Sequence, residues 1–352
     1  MSKTLEFFRN AWDSIRHREA KLPCCRALPA AQTDEEVPLG TDLVRDQDYF
    51  LVQVNEMFLA DERKWTSTYD PAVLVLTEFE YDGEIREVPF VVGPRMLDER
   101  GIKDNAGVVY RDTRVAGLHP YRGSTVGLTV ILYRVRQDDS AKNLLNVVEQ
   151  VSGALDVATT LPIYLKFASA VFGGVESLLG LDSTAPIVGL REEFDEAAQK
   201  PPRTGYYVLI DAPEEEIDVS RLWVRDRRLR HGDDLQTSVP YRDSDYVLYS
   251  VRSTSERRDV GMLPFGEIWT RVKKEACVPT PEGLESARRN MTSLYQSMTT
   301  SPDLTLDQAQ ALAGEYVAKM KKLHEGAVAI GVRGETKDDS PVRTARAQSL
   351  DF

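Results

Sequence analysis

The chain has 352 residues, of which 42% are hydrophobic and 28% are charged, a composition typical of a globular protein with a sizeable core. Its formal net charge of −12 argues against a general nucleic-acid binder, because such proteins carry a basic excess that neutralises phosphates. An odd set of three cysteines, no signal-peptide pattern and no charge-free apolar stretch of about 18 or more residues predict a cytoplasmic protein without disulfides or a standard transmembrane helix.

The first predicted element is an amphipathic helix within residues 1–22. Its apolar side chains recur at helical spacing and form one stripe, made of Leu5, Phe8, Trp12 and Ile15. Such a stripe either packs against the rest of the chain or docks onto a partner protein, and a peripheral contact with a membrane is a third use for it. Residues 23–47 contain several prolines and show no clear period, which predicts a linker.

From residue 48 the apolar residues alternate with a period of two, which predicts a first β-rich unit over 48–140. Within this unit, Asp82-Gly83 is a turn dipeptide that permits positive φ angles, so residues 77–88 are predicted to form a hairpin. Residues 125–135 form another predicted strand, in which alternate residues share one face.

Residues 141–181 are predicted to form a helical hairpin, because the apolar spacing becomes helical. Its second half, residues 157–181, is apolar on nearly all sides and carries Lys166 and Glu176 as its only charges. A helix of this kind is either buried between other elements or inserts into a bilayer after a trigger. Burial is favoured, because each charge is unfavourable at the centre of a bilayer.

Alternating strands return over residues 182–260, which predicts a second β-rich unit. The sequence PYRGS at 120–124 precedes the strand at 125–135, and the sequence PYRDS at 240–244 precedes a predicted strand at 246–251. This short repeat suggests two related β units on either side of the helical hairpin, and the alternative is a coincidence of chance or of shared strand preferences.

Residues 261–333 are predicted to form a helical region, and residues 334–352 a disordered polar tail. The clearest helix spans residues 305–323. Thr305 and Gln308 form a capping-box pattern at its start, and Gly326 is predicted to end it.

The most distinctive polar cluster surrounds the apolar tripeptide Leu222-Trp223-Val224. Its candidate protein-binding residues are Arg221, Trp223, Arg225 and Arg228, because arginine beside an aromatic side chain is typical of interface anchors. The alternative is an exposed strand and turn whose arginines pair with the acidic residues at 214–218. No motif for a metal ion, a cofactor or a nucleotide occurs at a convincing spacing, so no cofactor is expected.

Together these patterns predict an α+β protein with an antiparallel β-sandwich-like core, an inserted helical hairpin and a C-terminal helical region. The predicted function is that of a non-catalytic interaction or assembly subunit of a larger complex. Its expected ligand is a protein partner or a second copy of the chain, and not nucleic acid. Two alternatives remain: a membrane-active effector that inserts residues 157–181, and a hydrolase that uses a cleft near His231 with Asp233 or Asp234.

Overall fold

The structure is a computed structural model that describes residues 23–36, 39–60, 63–64, 67–93, 108–156, 170–178, 181 and 184–338. The predicted N-terminal helix at 1–22, the middle of the helical hairpin at 157–169 and the chain after residue 338 lie outside the described residues. The chain divides into two compact units, residues 1–259 and residues 260–352, which we call the β unit and the helical unit.

The β unit consists mainly of antiparallel strands. The strands are β1 (Pro23–Leu28), β2 (Tyr49–Phe58), β3 (Arg63–Lys64), β4 (Ser67–Tyr81), β5 (Glu84–Val92), β6 (Val108–Pro120), β7 (Val126–Arg136), β8 (Thr184–Phe194), β9 (Gly205–Pro213), β10 (Leu222–Arg225), β11 (Arg228–His231), β12 (Val239–Pro240) and β13 (Tyr246–Thr254). A helix, α1, spans Asp139–Asp156, and residues 170–178 are also helical. Short 3₁₀ turns occupy Ala30–Gln32, Glu214–Glu216 and Val219–Arg221.

The strands form two large sheets and one small sheet. The central sheet has the order β1-β9-β13-β2-β6, and the helix-side sheet has the order β3-β4-β7-β8 with β5 also paired to β4. The small sheet, which we call the outer ribbon, has the order β10-β11-β12. The strand pairs within these sheets are antiparallel, and the predicted α+β class with a sandwich-like core is confirmed.

The central sheet is buried on both faces. One face packs with the helix-side sheet in the largest hydrophobic cluster, to which it contributes Val52, Tyr207, Leu209 and Tyr249. The opposite face packs against the outer ribbon in a second cluster that includes Tyr206, Val208, Leu248, Leu222, Val224 and Leu229. Because successive residues of β9 alternate between the two clusters, the period of two places the same strand in two separate cores.

The linker predicted over 23–47 begins instead with an edge strand. Residues Pro23–Leu28 form β1, which pairs with β9 along the side of the central sheet. Only Cys24 and Leu28 of this strand are fully buried, so the apolar alternation is too sparse to be recognised in the sequence. A proline at the first position is compatible with an edge strand, because no ladder hydrogen bond is lost there.

The hairpin predicted at Asp82-Gly83 is confirmed, because both residues have positive φ angles, of 56° and 73°. Strand β4 leads into this turn and β5 leaves it, with Tyr81 paired to Glu84. The helix after β7 is capped at its start, since Asp138 accepts a hydrogen bond from the Ala141 backbone at 2.9 Å.

The repeated sequence motif leads into two strands with corresponding surroundings. Strand β7 lies between β4 and β8, and β13 lies between β9 and β2. The register to β8 shifts between Leu132 and Tyr133, and the register to β2 shifts between Leu248 and Tyr249, at the same Leu-Tyr step of each strand. The two steps lie at different distances from the motif, so the relation between the predicted units 48–140 and 182–260 stays a prediction. Each of these regions contributes strands to both large sheets.

The helical unit contains α2 (Gly266–Ala276), α3 (Pro281–Thr299) and α4 (Leu306–Asp338), after a 3₁₀ turn at Val260–Met262. Its own core is formed by apolar residues of all three helices, among them Val272, Met291, Leu294, Met298, Tyr316 and Met320. The capping pattern at the start of α4 is present, since the Gln308 backbone donates to Thr305 Oγ1 at 3.3 Å.

The prediction that Gly326 ends the last helix is wrong, because α4 continues to Asp338 and includes residues 334–338 of the predicted tail. A glycine inside a helix costs only about 1 kcal/mol relative to alanine, and its neighbours Ala327 and Ala329 favour the helix. Apart from the adjacent backbone of its own helix, no described atom lies within 4 Å of the position that a Gly326 Cβ would occupy, so no close packing requires a glycine there.

Candidate functional site

The described histidines lie in separate environments. His119 is buried, with its ring stacked on Phe79 at 4.2 Å. His324 Nδ1 lies 3.2 Å from the Ala276 carbonyl oxygen, in the helical unit. His231 is the last residue of β11 and lines a small cavity together with Tyr241. Within the described part of the chain, no group of three or more His, Cys, Asp or Glu side chains is placed to hold a metal ion.

The outer ribbon brings most of the predicted Arg-Trp cluster onto one face. In the β10-β11 pair, Trp223 lies opposite Arg230 and Arg225 lies opposite Arg228. The alternate positions, Leu222, Val224 and Leu229, are buried against the central sheet. Trp223, Arg225, Arg228 and Arg230 therefore share the face directed away from that sheet, which we call the ribbon face.

Arg221, the fourth predicted residue of this cluster, precedes the ribbon in a 3₁₀ turn. Its guanidinium forms an exposed ion pair with Asp233 at 3.0 Å. Arg230, which belongs to the same arginine-rich stretch of the sequence, lies opposite Trp223 in the ribbon. The predicted residues Leu5, Phe8, Trp12 and Ile15 lie outside the described part of the chain.

Neutral acceptors orient three of the four side chains of the ribbon face, those of Trp223, Arg225 and Arg230. Trp223 Nε1 donates to the Gly232 carbonyl at 3.0 Å, and Arg225 donates to the Gln236 carbonyl at 3.3 Å. Arg230 Nε donates to the Ser238 carbonyl at 3.1 Å and to its hydroxyl at 3.0 Å. Carbonyl and hydroxyl groups fix a guanidinium in place without cancelling its charge. The positive charge of Arg228 also acts on the buried carboxylate of Glu56 and favours its ionised form.

The turn that joins β10 to β11 is strained and is held from outside. Asp226 and Arg227 have positive φ angles of 52° and 63°, although neither is glycine. The Asp226 backbone donates to Asp34 Oδ2 at 2.9 Å, and Arg227 Nε donates to Glu35 Oε1 at 3.1 Å. These contacts from the segment after β1 set the position of the ribbon, so its outer face is preorganised.

Glu35 is the centre of a polar network under the ribbon. Its carboxylate accepts hydrogen bonds from Arg252, from Arg227 and from the Tyr206 hydroxyl, the last at 2.5 Å. The Arg252 guanidinium also lies over the Tyr206 ring, 4.7 Å from its centre. Burial acts to raise the pKa of Glu35, but the hydrogen bonds and the charge of Arg252 outweigh it and hold that pKa below its ordinary value.

Glu56 is a second carboxylate under the ribbon, and it is fully buried in β2. It accepts the Leu229 backbone N–H at 2.7 Å, and Arg242 lies 3.4 Å away. Burial raises the pKa of Glu56 above its ordinary value despite these favourable contacts. Sequence reasoning missed both carboxylates. A glutamate at an alternating core position of a predicted strand was the available signal for Glu56.

The cleft predicted near His231 is a small cavity of about 220 Å³, lined by Asp218, His231, Tyr241 and Asp243 among others. The two carboxylates expected to assist His231 make other contacts. Asp233 pairs with Arg221, and Asp234 accepts backbone hydrogen bonds within its own turn, from Gln236 and Thr237. These contacts therefore support the predicted role of Asp233 or Asp234 beside His231 less than the sequence does.

Residues 170–178 are helical, and their apolar side chains Val171, Val175 and Leu178 belong to the main hydrophobic cluster together with α1. None of the helices that the structure describes has an apolar stretch sufficient to cross a membrane. The rest of the segment considered for insertion, residues 157–169, lies outside the described residues.

Comparison of the chain with models of protein families, with curated proteins and with solved structures finds no match.

Proposed function

We propose that the protein is a non-catalytic interaction or assembly subunit that binds an acidic surface of a protein partner through the ribbon face. The observation that carries the proposal is the paired arrangement of Trp223 with Arg230 and of Arg225 with Arg228 on one face of a ribbon whose other face is buried. Tryptophan and arginine are the side chains most enriched at the energetic centres of interfaces.

Charge supports an acidic partner. The chain carries a net charge of −12, and a compact set of arginines on such a protein attracts an acidic surface that the remainder of the molecule repels. The ribbon face thus supplies orientation as well as attraction. The rigid turn and the oriented guanidinium groups lower the entropy cost of binding.

The dimensions of the ribbon define its role within an interface. Each of the strands β10 and β11 has four residues and is therefore about 13 Å long. A stable interface buries roughly 800 Å² on each partner, which is more than the ribbon face can supply. The ribbon face is accordingly proposed as the energetic centre of a larger contact.

Charge reversal on the ribbon face tests the proposal. Affinity capture from cells that produce the protein would compare wild type with Arg225→Glu, Arg228→Glu and the double variant. Lys142→Glu, an exposed residue of α1, makes the same charge change elsewhere on the β unit. We expect partners that are retained by wild type and by Lys142→Glu and lost from the double variant. An identical retained set for all the baits would reject the ribbon face as the docking site.

The same variants also test whether the partner is a second copy of the chain. Sedimentation of wild type and of the double variant over a range of concentrations reports self-association directly. An oligomer that dissociates in the double variant identifies the partner as another copy, whereas an oligomer that survives it forms through a different surface.

The two alternative functions have less support. Membrane insertion of 157–181 would have to remove Val171, Val175 and Leu178 from the main hydrophobic cluster. Hydrolysis near His231 would need a carboxylate other than the two that were predicted, because Asp233 and Asp234 are engaged elsewhere.

A further inference from the structure

An apolar trough runs between α2 and α4 of the helical unit, and it uses none of the residues of the ribbon face. Its volume is about 870 Å³, and it is lined almost wholly by apolar atoms. The floor includes Trp269 and Leu323, which also pack on the core of the helical unit. Ala327 and Ile330 continue the apolar surface along α4, and 73% of the Ile330 side chain is exposed.

Three lysines border this trough: Lys273 on α2, and Lys319 and Lys322 on α4. The Lys273 ammonium lies 5.9 Å from the centre of the Trp269 ring, and the Lys319 ammonium lies 5.5 Å from that of Tyr316. The two rings are themselves stacked at 4.3 Å. The lysine stems thus extend the apolar surface, while their charged ends remain at its edge.

The dimensions of the trough fit a helix. The lining residues of α4 run from Lys319 to Ile330, a rise of about 16 Å, which equals three turns of a second helix lying alongside. A helix docked into such a groove buries side chains at i, i+4 and i+7 and leaves its flanks at the rim.

The charges identify the kind of helix. Residues 260–352 contain 12 basic and 12 acidic side chains, so the net charge of −12 resides entirely in the β unit. Within this neutral unit, the trough has a rim of three lysines, of which Lys319 also forms an exposed ion pair with Glu315 at 3.0 Å. Flanking glutamates or aspartates on a docked helix would meet the lysines, whereas flanking basic residues would be repelled.

We propose that the trough is a docking site for an acidic, amphipathic helix of a partner protein. The partner helix places an apolar stripe on Trp269, Leu323 and Ile330, and its carboxylates face the three lysines. The chain's own residues 1–22 are the poorer occupant. They also carry an apolar stripe, but they contain five basic and three acidic side chains.

Designed peptides test the proposal on the full chain. The acidic probe is a peptide of about 14 residues with leucines at i, i+4 and i+7 and glutamates flanking them. A second peptide keeps the leucines and replaces the glutamates by lysines. Fluorescence anisotropy of the labelled peptides measures affinity. We expect the acidic peptide to bind about tenfold or more tightly than the basic one, and its affinity to fall as salt is added.

Adjacent lysines on α4 supply a matched pair of variants. Lys322 lines the trough, whereas Lys321 lines a smaller groove of about 570 Å³ between α3 and α4. Both side chains are exposed, so Lys322→Glu and Lys321→Glu change the net charge equally without disturbing the core. We expect Lys322→Glu to weaken the acidic peptide about tenfold and Lys321→Glu to leave it within about twofold. Ile330→Glu, which removes apolar surface, should weaken it as Lys322→Glu does.

The thiol of Cys277 lines the same trough and reports on occupancy. Bound acidic peptide should slow modification of Cys277 by a maleimide in wild type and not in Lys322→Glu. Equal binding of both peptides, equal losses for the two lysine variants, or no binding to wild type would each overturn the proposal. Binding of vesicles that contain phosphatidylserine, lost in Lys322→Glu while the peptide fails to bind, would overturn it in favour of a lipid surface.

The ribbon variant Arg225→Glu should leave the affinity for the acidic peptide unchanged, because that residue lies outside the trough. The helix-docking proposal can therefore fail while the proposed role of the ribbon face survives, and the reverse also holds.

Discussion

Removing the charge of Glu35 should weaken the attachment of the outer ribbon to the central sheet. The substitution Glu35→Gln keeps the shape of the side chain but replaces one acceptor oxygen with an amide that faces arginine donors. The side chains of Glu35 and Arg252 are only 13% and 12% exposed, so the guanidinium would be left with little compensation from water. Breaking a buried ion pair in this way costs about 3–5 kcal/mol. Arg227 is 38% exposed and therefore recovers more of its hydration than Arg252 does.

We therefore expect the closed ribbon to lose about 3 kcal/mol of stability, which raises the equilibrium constant for opening, and lowers amide protection, on the order of 100-fold. Hydrogen exchange of the amides in residues 222–231 measures that opening locally, at neutral pH. Glu193→Gln serves as the control, because Glu193 forms an exposed ion pair with Arg191 whose loss costs less than about 1 kcal/mol.

The lowered pKa of Glu35 also predicts how this loss of stability depends on pH. The folded-state pKa is lowered, so the carboxylate contributes stability above its ordinary value of 4.5 and loses it as the pH falls through the lowered value. Wild type and Glu35→Gln should thus converge in acid. A difference in protection below about tenfold at neutral pH, or one that stays constant into acid, would refute this account of the network.

Two further outcomes are expected from the described geometry. A maleimide should modify native protein first at Cys277, which is exposed, because Cys24 is buried and burial raises the pKa of Cys25 to about 12. Mass spectrometry of the labelled protein would show this, and early labelling of Cys24 would contradict the position of β1. Gly326→Ala should raise the free energy of unfolding of the helical unit by about 0.5–1 kcal/mol, since an added Cβ meets no described atom within 4 Å apart from the adjacent helix backbone. A lower urea midpoint would instead indicate that α4 ends near residue 326.

Much of the fold follows from short-range patterns. The turn at Asp82-Gly83, the strand at 125–135 and the capped start of α4 each depend on a few neighbouring residues, and each is present. Strand β1 was missed because its structure depends on pairing with β9, which lies far along the chain. The prediction that α4 ends at Gly326 was wrong because a single glycine destabilises a helix only slightly when helical residues lie on both sides of it.

The ribbon face was only partly predictable for a related reason. Alternation places Trp223 and Arg225 on one side of a strand, and the sequence shows this directly. The cross-strand pairing requires a tight turn at Asp226-Arg227, a dipeptide without glycine or asparagine and hence without a hairpin signal. That turn depends on Asp34 and Glu35, which are distant in sequence. The trough of the helical unit likewise exists only after α2 and α4 have packed together.

Two glutamates with opposite pKa shifts attach the ribbon to the central sheet, which makes the attachment depend on pH in both directions. The pKa of Glu56 is raised in the folded state, so its contribution is full below 4.5 and is lost as the pH rises through the raised value. The contribution of Glu35 is lost in the opposite direction.

The combined contribution of Glu35 and Glu56 is therefore greatest between their two folded-state pKa values, which lie on either side of 4.5. Protection of the amides in residues 222–231, corrected for the intrinsic exchange rate, should pass through a maximum in that interval. Glu56→Gln keeps an acceptor for the Leu229 N–H, at 2.7 Å in wild type, and should remove only the decline toward higher pH. Glu35→Gln should remove only the decline toward acid. If either variant removed both declines, the two carboxylates would not act as separate attachments, and the ribbon would be held by a single coupled network.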